Sequence, residues 1–246
     1  MGRSNGVDSW CAFGGRRPAR RSRCVAPAEG SAEPNVPPAP GGLDPTLLVY
    51  VLDIFDPWSY AYLPSVEGVL TEASQLVGVE LVNDNRYAGC SAAELGARSA
   101  AVTATTGTVF GAGFHQLLTD EDLVLDVSAA AAGLIGLMAA GDVPVARVLR
   151  EVQHEFFVRG RPLGSPGVLH DVGTRLGLDG PAIEVFANSE RGREMAAEDF
   201  DIAAEFALDG SPLLMASHAG RFFEFDGLGA SAQRLVDQFN SVLARP

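Results

Sequence analysis

The chain has 246 residues, of which 47% are hydrophobic, and this ordinary globular composition excludes a protein that is disordered throughout. Eighteen basic residues against 31 acidic ones give a formal net charge of −13, which opposes binding to nucleic acid or to an anionic membrane surface. All the basic residues are arginines, and the absence of lysine excludes P-loop nucleotide binding and Schiff-base or pyridoxal-phosphate chemistry.

Residues 1–43 differ in composition from the rest of the chain. They hold six arginines, three acids and many prolines, with almost no aliphatic side chains, which predicts a disordered leader. No apolar region of an export signal follows its arginine pairs. The best apolar stretch, residues 127–141, is shorter than the roughly 20 residues of a membrane span. We therefore expect a cytoplasmic protein without a membrane partner.

The predicted fold begins with a β-α-β unit. Residues 46–53 form a continuous apolar run that ends in an acid, which is typical of a fully buried strand. A helical pattern begins at Pro57, and residues 78–83 form a second strand. Two strands joined through a helix are predicted to pair in parallel, with the helix across the sheet.

The second half of the predicted fold ends in a hairpin and a helix. Residues 92–206 are nearly all helical in pattern. Two short strands, 213–217 and 221–225, are separated by a turn and predict a β-hairpin. Residues 230–243 form a closing helix.

This order of elements predicts an α/β fold of the thioredoxin type. A β-α-β half and a β-β-α half are separated by a long helical segment. We expect a thioredoxin-like domain made of residues 44–90 and 207–246, with a helical domain, residues 91–206, inserted between its halves.

Several segments carry a resemblance to a known family. The run Tyr50-Val-Leu-Asp-Ile-Phe-Asp-Pro-Trp-Ser-Tyr60 resembles the start of the active site in the DsbA family of thioredoxin-fold proteins, particularly its FrnE-like branch of predicted protein-disulfide isomerases. In that family a strand leads into a C-x-W-C-Y or C-P-W-C-Y motif at the start of the first helix. Further matches are Thr106-Gly107 with Phe110-Gly111 and Phe114, residues 152–161, residues 176–179, and Gly210-Ser211-Pro212 at the place of the family's cis-proline. The resemblance covers residues 46–243.

The active-site motif departs from the family at both cysteines. Asp56 and Ser59 stand at the two positions, and thiol-disulfide exchange needs an attacking thiolate and a second thiol to resolve the mixed disulfide. Cys11 and Cys24 lie in the leader, and Cys90 stands alone after the second strand. The sequence therefore predicts that the family's usual redox activity is absent.

Asp56 and Ser59 are nevertheless the candidate catalytic residues. Asp is a favoured helix N-cap and Pro57 a favoured first helical residue, so Asp56 has a purely structural interpretation. In the alternative interpretation, Asp56 is a general base whose pKa the helix dipole lowers. Ser59 would then hydrogen-bond a substrate oxygen or a thiolate.

The resemblance also implies a substrate groove between the start of the first helix and the proline loop. Trp58 and Tyr60 are candidate walls for a flat apolar ligand. The other candidate substrate-binding residues are Phe110, His115, Ser211 and Pro212. The four histidines are too scattered for a metal site, and we expect neither a metal nor a cofactor. Cys90 is interpreted as a small buried hydrophobe and not as a nucleophile.

These residues lead to one main functional hypothesis and two alternatives. The main hypothesis is a cofactor-independent isomerase or acid-base catalyst that acts on a small apolar carbonyl or polyene compound of secondary metabolism. The first alternative is a transferase or isomerase that depends on a small thiol, by analogy with kappa-class glutathione transferases and 2-hydroxychromene-2-carboxylate isomerases. The second alternative is a non-catalytic protein that binds a ligand and retains only the scaffold.

Overall fold

The computed structural model describes residues 46–206 and 212–245. The predicted leader and the predicted groove residue Ser211 lie outside the described residues. The strands are β1 (Leu47–Leu52), β2 (Gly78–Asn83), β3 (Leu213–His218) and β4 (Arg221–Glu224). The helices are α1 (Pro57–Leu76), α2 (Ala92–Thr106), α3 (Ala112–Leu117), α4 (Val127–Ala139), α5 (Val145–Phe157), α6 (Val168–Arg175), α7 (Gly180–Ala187), α8 (Glu190–Glu205) and α9 (Ala232–Leu243).

The four strands form one mixed sheet in the order β2-β1-β3-β4. β1 and β2 are parallel, with Leu47 opposite Gly78, as the β-α-β pattern predicts. β3 runs antiparallel to β1, and β4 runs antiparallel to β3 as a hairpin. The carboxyl ends of β1 and β2 therefore meet at one edge of the sheet, and the loops that follow them lie side by side.

β1 is the central strand and is buried on both faces. Alternate side chains point to opposite faces of a strand, so Leu48, Tyr50 and Leu52 join the main hydrophobic cluster, while Val49 and Val51 join a second cluster. α1 and α9 pack together on the face of the main cluster, and α8 packs against β2. This arrangement explains why residues 46–53 read as a continuous apolar run instead of an alternating one.

The start of α1 follows from its own sequence. Asp56 is the N-cap, and Pro57 occupies the first helical position, where its missing N–H removes no hydrogen bond. The helix runs for 20 residues and contains Pro64. Its tight connection to β1 is closed by a 3.1 Å hydrogen bond from the Asp56 N–H to the Asp53 carbonyl.

Seven helices, α2 to α8, lie within residues 92–205 and are joined by loops; the sequence predicted this segment to be nearly all helical. α4 is alanine-rich and almost wholly buried, and it packs against α5, α7 and α8. α5 buries the predicted apolar stripe and also packs along α1. Within residues 46–206 and 212–245, no helix is long and apolar enough to cross a membrane.

Candidate functional site

The candidate site lies where β1 and β2 end and α1 begins. Asp53 and Asp56 belong to the loop after β1, and Tyr87 belongs to the loop after β2. The three side chains are 0%, 1% and 2% exposed. Because the two strands are parallel, residues 34 positions apart along the chain come into direct contact here.

The carboxylate of Asp56 accepts four hydrogen bonds. Oδ1 accepts from the Tyr87 hydroxyl at 2.8 Å and from the Trp58 N–H at 3.1 Å. Oδ2 accepts from the Ser59 hydroxyl at 3.1 Å and from the Ser59 N–H at 3.3 Å. Ser59 itself is fully buried. The two candidate catalytic side chains, Asp56 and Ser59, are therefore joined directly to each other.

The expected direction of the Asp56 pKa is wrong. The helix dipole was expected to lower this pKa, but burial raises it above its ordinary value and outweighs the opposing hydrogen bonds from Tyr87, Trp58 and Ser59. The cause is the loss of water around the carboxylate, which destabilises its charged form. A carboxylate with a raised pKa is a stronger base, so the raised pKa of Asp56 favours proton transfer.

Asp53 is a second buried carboxylate beside Asp56. Its Oδ1 accepts from the Phe55 N–H at 2.9 Å, and its Oδ2 accepts from the Tyr87 N–H at 2.8 Å. Burial raises the pKa of Asp53 to about 7, and the neighbouring negative charge of Asp56 acts in the same direction. Asp53 therefore changes its charge near neutral pH.

Tyr87 is a site residue that the sequence analysis missed. Its backbone N–H holds Asp53 and its hydroxyl holds Asp56, so one residue ties the two carboxylates together. The Arg98 guanidinium lies 5.3 Å from the centre of its ring. The β-α-β pattern could have indicated Tyr87, because residues that follow two adjacent parallel strands meet at the same edge of the sheet.

The hydroxyl of Tyr50 is buried and makes no hydrogen bond within the part of the chain that the structure describes. Its ring lies 6.4 Å from that of Tyr62 in the core behind α1. Burial raises the pKa of Tyr50, and the charges of Tyr62 and Asp56 raise it further. Tyr50 is therefore a neutral hydrogen-bond donor within the electrostatic reach of Asp56.

An aromatic cluster adjoins the first turn of α1. The Tyr60 ring stacks on Phe157 at 4.7 Å and lies 5.5 Å from Phe110. Phe110 in turn lies 5.2 Å from Phe114. The structure thus joins two of the predicted substrate-binding residues, Tyr60 and Phe110, with Tyr60 half-buried and Phe110 buried.

Close backbone contact between two segments positions this cluster. Gly113 at the start of α3 and Gly160 after α5 approach so closely that a Cβ at either one would overlap the opposite backbone. Gly160 also has a φ of +66°, a conformation that glycine adopts without strain. The Gly111 N–H donates to the Phe157 carbonyl at 2.9 Å. These contacts bring Phe110 and Phe157 together.

The other predicted residues are distributed around the site. Trp58 is partly buried against the main cluster, and Pro212 is partly buried immediately before β3. His115 lies on α3 with an exposed side chain and contacts the ring of Phe114 at 6.2 Å. None of the four hydrogen bonds to the Asp56 carboxylate comes from His115.

The described residues contain one free thiol, that of Cys90. Cys90 is partly exposed, and burial together with Glu94 raises the pKa of its thiol, so little thiolate forms at neutral pH. Within residues 46–206 and 212–245, no three His, Cys, Asp or Glu side chains are grouped to hold a metal ion.

No protein-family model and no curated protein matches the chain. Solved structures do match it. A structure described as a putative protein disulfide isomerase from Nitrosomonas europaea has a TM-score of 0.67 and 18% identity, covering 81% of this chain and 98% of the other. The cytosolic disulfide reductase DsbM from Pseudomonas aeruginosa has a TM-score of 0.62 and 21% identity, covering 79% and 94%. A probable DsbA oxidoreductase from Streptomyces coelicolor has a TM-score of 0.53 and 13% identity, covering 82% and 91%.

These similarities establish the fold of the chain, which is a DsbA-like thioredoxin fold with a four-stranded sheet and mostly helical remainder. The predicted fold class is confirmed. At identities of 21% and below, the similarity is one of architecture, and function is argued from the site.

Proposed function

We propose that the protein is a DsbA-like enzyme without redox cysteines, and that it isomerises a small apolar carbonyl or polyene compound by proton transfer. The observation that carries the proposal is the Asp56 carboxylate, which lies in a water-excluded site, has a raised pKa and is hydrogen-bonded by two hydroxyl groups. General acid-base catalysis is most effective when the pKa of the catalytic group approaches the working pH. Burial moves Asp56 in that direction.

Oδ2 of Asp56 is the oxygen that takes the substrate proton. Its two hydrogen bonds from Ser59, at 3.1 and 3.3 Å, are longer than the 2.8 Å bond from Tyr87 to Oδ1. Rotation of the Ser59 hydroxyl frees one acceptor position, at a cost of about 1.5–3 kcal/mol for a hydrogen bond to a charged group. The Tyr87 bond keeps the carboxylate oriented during this change. Exchange of the carboxyl proton with solvent, followed by delivery of a proton to another carbon, completes an isomerisation that introduces solvent hydrogen into the product.

Tyr50 supplies the complementary hydrogen-bond donor. Removal of a proton next to a carbonyl group places negative charge on the carbonyl oxygen, and a donor that is already in place stabilises that charge. The Tyr50 hydroxyl is buried, stays protonated and has no partner in the described residues. We assign it to the substrate oxygen.

The aromatic surface beside α1 suits an apolar substrate. Trp58 and Tyr60 are partly exposed next to the carboxylate, and Tyr60 continues into the cluster with Phe110 and Phe157. Flat rings of this kind pack against planar conjugated compounds and exclude water from the reacting atoms.

A second candidate is a non-catalytic protein that binds a small ligand. The four hydrogen bonds to Asp56 use the acceptor positions of a carboxylate, and the side chain is only 1% exposed. The same geometry serves a helix cap whose only role is to stabilise α1. The two candidates differ in whether substrate protons exchange at this carboxylate.

Native mass spectrometry of the purified protein, followed by proton exchange, tests the proposal. We expect a retained aromatic or polyene compound, and we expect it to incorporate deuterium from D₂O in the presence of the protein. A panel of β,γ-unsaturated ketones, whose conjugated isomers absorb in the ultraviolet, provides a parallel assay. Asp56→Asn should abolish both activities, and Tyr50→Phe should slow them.

The matched control is Asp201→Asn, the same substitution at an exposed aspartate on α8 that makes none of the contacts of Asp56. A retained compound that exchanges no protons would favour the binding protein. A retained small thiol would favour the thiol-dependent alternative. Neither exchange nor isomerisation with any compound would overturn the proposal.

A further inference from the structure

A cavity of about 360 Å³ opens where the β3–β4 hairpin meets the end of α9. Its lining residues are His218, Ala219, Arg221, Phe223 and Arg245. We propose that this cavity binds a small organic anion, a carboxylate or a phosphate ester, whose charged group lies between Arg221 and Arg245 and whose apolar part packs on Phe223.

The cavity is separate from the site at Asp56. Leu47 at the start of β1 pairs with Ser217, so His218 and the hairpin turn lie at the amino end of β1. Asp56 follows the carboxyl end of the same strand. Six residues of extended strand span about 20 Å, so the two sites lie at opposite ends of the sheet. The proposal therefore stands independently of the proposed isomerase activity.

The charge of the cavity runs against the charge of the protein. Eight of the twelve arginines within the described residues pair with a carboxylate, as the net charge of −13 leads one to expect. Arg221 and Arg245 have no carboxylate partner in the same described ranges, and the five lining residues include no acid. Two unpaired guanidinium groups in one cavity attract an anion.

Arg245 is held in place before any ligand binds. The His218 Nε2–H donates to the Arg245 carbonyl at 3.1 Å, which fixes the end of the chain after α9 against β3. The Nδ1 atom of the same ring lies 2.6 Å from the Thr46 hydroxyl oxygen, in a second hydrogen bond. The Arg245 guanidinium lies 4.5 Å from the centre of the Phe223 ring. A side chain that is already ordered loses little entropy when it binds.

The chemistry of the lining selects the ligand class. A guanidinium group donates two parallel hydrogen bonds to the oxygens of a carboxylate or a phosphate. Phe223 provides an apolar wall, and about 360 Å³ lies in the range of small-molecule sites. An adjoining cavity of about 490 Å³ shares Phe223 and Arg245 but contains Glu224 and Asp237, whose charges repel the anionic end, while its Arg234 is already paired with Asp226 at 2.7 Å. The charged group of the ligand therefore lies on the Arg221 side.

Titration of the ¹⁵N-labelled protein with four probes tests the proposal. The probes are benzoate, phenyl phosphate, inorganic phosphate and the neutral compound benzyl alcohol. We expect the amide chemical shifts of the residues around Phe223 to change saturably with benzoate or phenyl phosphate. Benzyl alcohol should cause no such change. The aromatic anion that binds more tightly shows whether the cavity prefers a carboxylate or a phosphate ester. The difference in affinity between phenyl phosphate and inorganic phosphate measures the contribution of the ring contact.

Arg221→Ala and Arg245→Ala should each weaken binding of the better probe about tenfold or more, which equals about 1.4 kcal/mol. Arg147→Ala is the matched control, because Arg147 is exposed and also has no carboxylate partner in the described residues, but lies on α5. All three side chains are at the surface, so thermal midpoints should stay close to that of the unmodified protein. No saturable binding of either aromatic anion, unchanged binding in both cavity variants, or equal loss in Arg147→Ala would each overturn the proposal.

Discussion

The hydroxyl of Tyr87 donates a 2.8 Å hydrogen bond to Oδ1 of Asp56, between residues that are 31 positions apart in the chain. The bond connects the loop after β2 to Asp56, the N-cap residue of α1. It also connects a phenol to the carboxylate that is proposed to transfer the proton.

Loss of the Tyr87 hydroxyl should destabilise the protein and raise the pKa of Asp56. The bond from Tyr87 lowers that pKa, and its removal leaves a buried carboxylate with one donor fewer. We expect Tyr87→Phe to cost about 1–3 kcal/mol in the free energy of unfolding, measured in urea at pH 8. Tyr60→Phe is the control, because the Tyr60 hydroxyl lies in a half-exposed side chain. Equal stability of the two variants would show that the Tyr87 contact contributes nothing.

The pKa of Asp53 makes stability depend on pH. It is about 7 in the folded protein against 3.8 as the ordinary value, so between these pH values the folded state holds a proton that the unfolded state has lost. This contribution to stability is fully present below about pH 4 and is lost as pH rises to about 7, at up to about 1.4 kcal/mol per pH unit. The free energy of unfolding should therefore fall across this window.

Urea unfolding of the unmodified protein and of Asp53→Asn at several pH values between 4 and 8 measures this effect. The variant cannot titrate, so its stability should fall less steeply over the window, although it loses one hydrogen bond from a backbone N–H. Titrating groups far from Asp53 contribute equally to both proteins and cancel in the comparison, whereas the charge coupling of Asp53 with Asp56 is part of the measured difference. Parallel pH profiles would contradict the raised pKa of Asp53.

The contact between Gly113 and Gly160 predicts a large difference between two glycine substitutions. Gly160 and Gly177 both have positive φ, at +66° and +78°, so alanine costs about 1 kcal/mol of backbone strain at each. Only at Gly160 would the new Cβ also overlap the Gly113 backbone. Thermal unfolding should show Gly160→Ala to be several kcal/mol less stable than Gly177→Ala. Similar midpoints would mean that the two segments separate easily.

Much of the fold could be predicted from the sequence, because its elements carry strong local signals. The apolar run of β1, the strand at Gly78–Asn83 and the hairpin of β3 and β4 were predicted within one or two residues. Pro57 after Asp56 marked the start of α1, since both residues favour a helix N-terminus. The order of these elements was enough to predict the thioredoxin-type topology.

The site was less predictable, because its interactions join distant segments. Asp56 and Ser59 could be selected from the motif, but burial raises the Asp56 pKa, and burial depends on the complete fold. Tyr87 and the pairing of Asp53 with Asp56 depend on the meeting of two loops. His115 lies in a segment with glycine on both sides, and nothing local indicated that its side chain is exposed.

The protein should have no dithiol redox activity. Asp56 and Ser59 cannot exchange with a disulfide, and burial and Glu94 raise the pKa of the Cys90 thiol. We expect insulin reduction and the refolding of a scrambled disulfide substrate to proceed at the rate of the control without protein. Turnover that Cys90→Ser abolishes would show that this thiol is functional.

The central claim is that Asp56 transfers a proton and is not only a helix cap. Asn keeps one acceptor oxygen but turns an NH₂ group toward the donors on the other, so Asp56→Asn should cost about 1–3 kcal/mol in the free energy of unfolding, and Asp56→Ala, which leaves all four donors without their acceptor, should cost more. The amide of Asn cannot accept a proton, so catalysis should fall by about 100-fold or more. The stability measurement establishes that the variant is folded before its activity is compared.

The most direct measurement is the rate of deuterium incorporation from D₂O, compared between Asp56→Asn and the unmodified protein. The substrate is the compound retained by the protein or the reactive member of the ketone panel. The account predicts a folded variant that exchanges protons no faster than the solution without protein. Full exchange activity in Asp56→Asn would contradict it and would leave Asp56 as a helix cap.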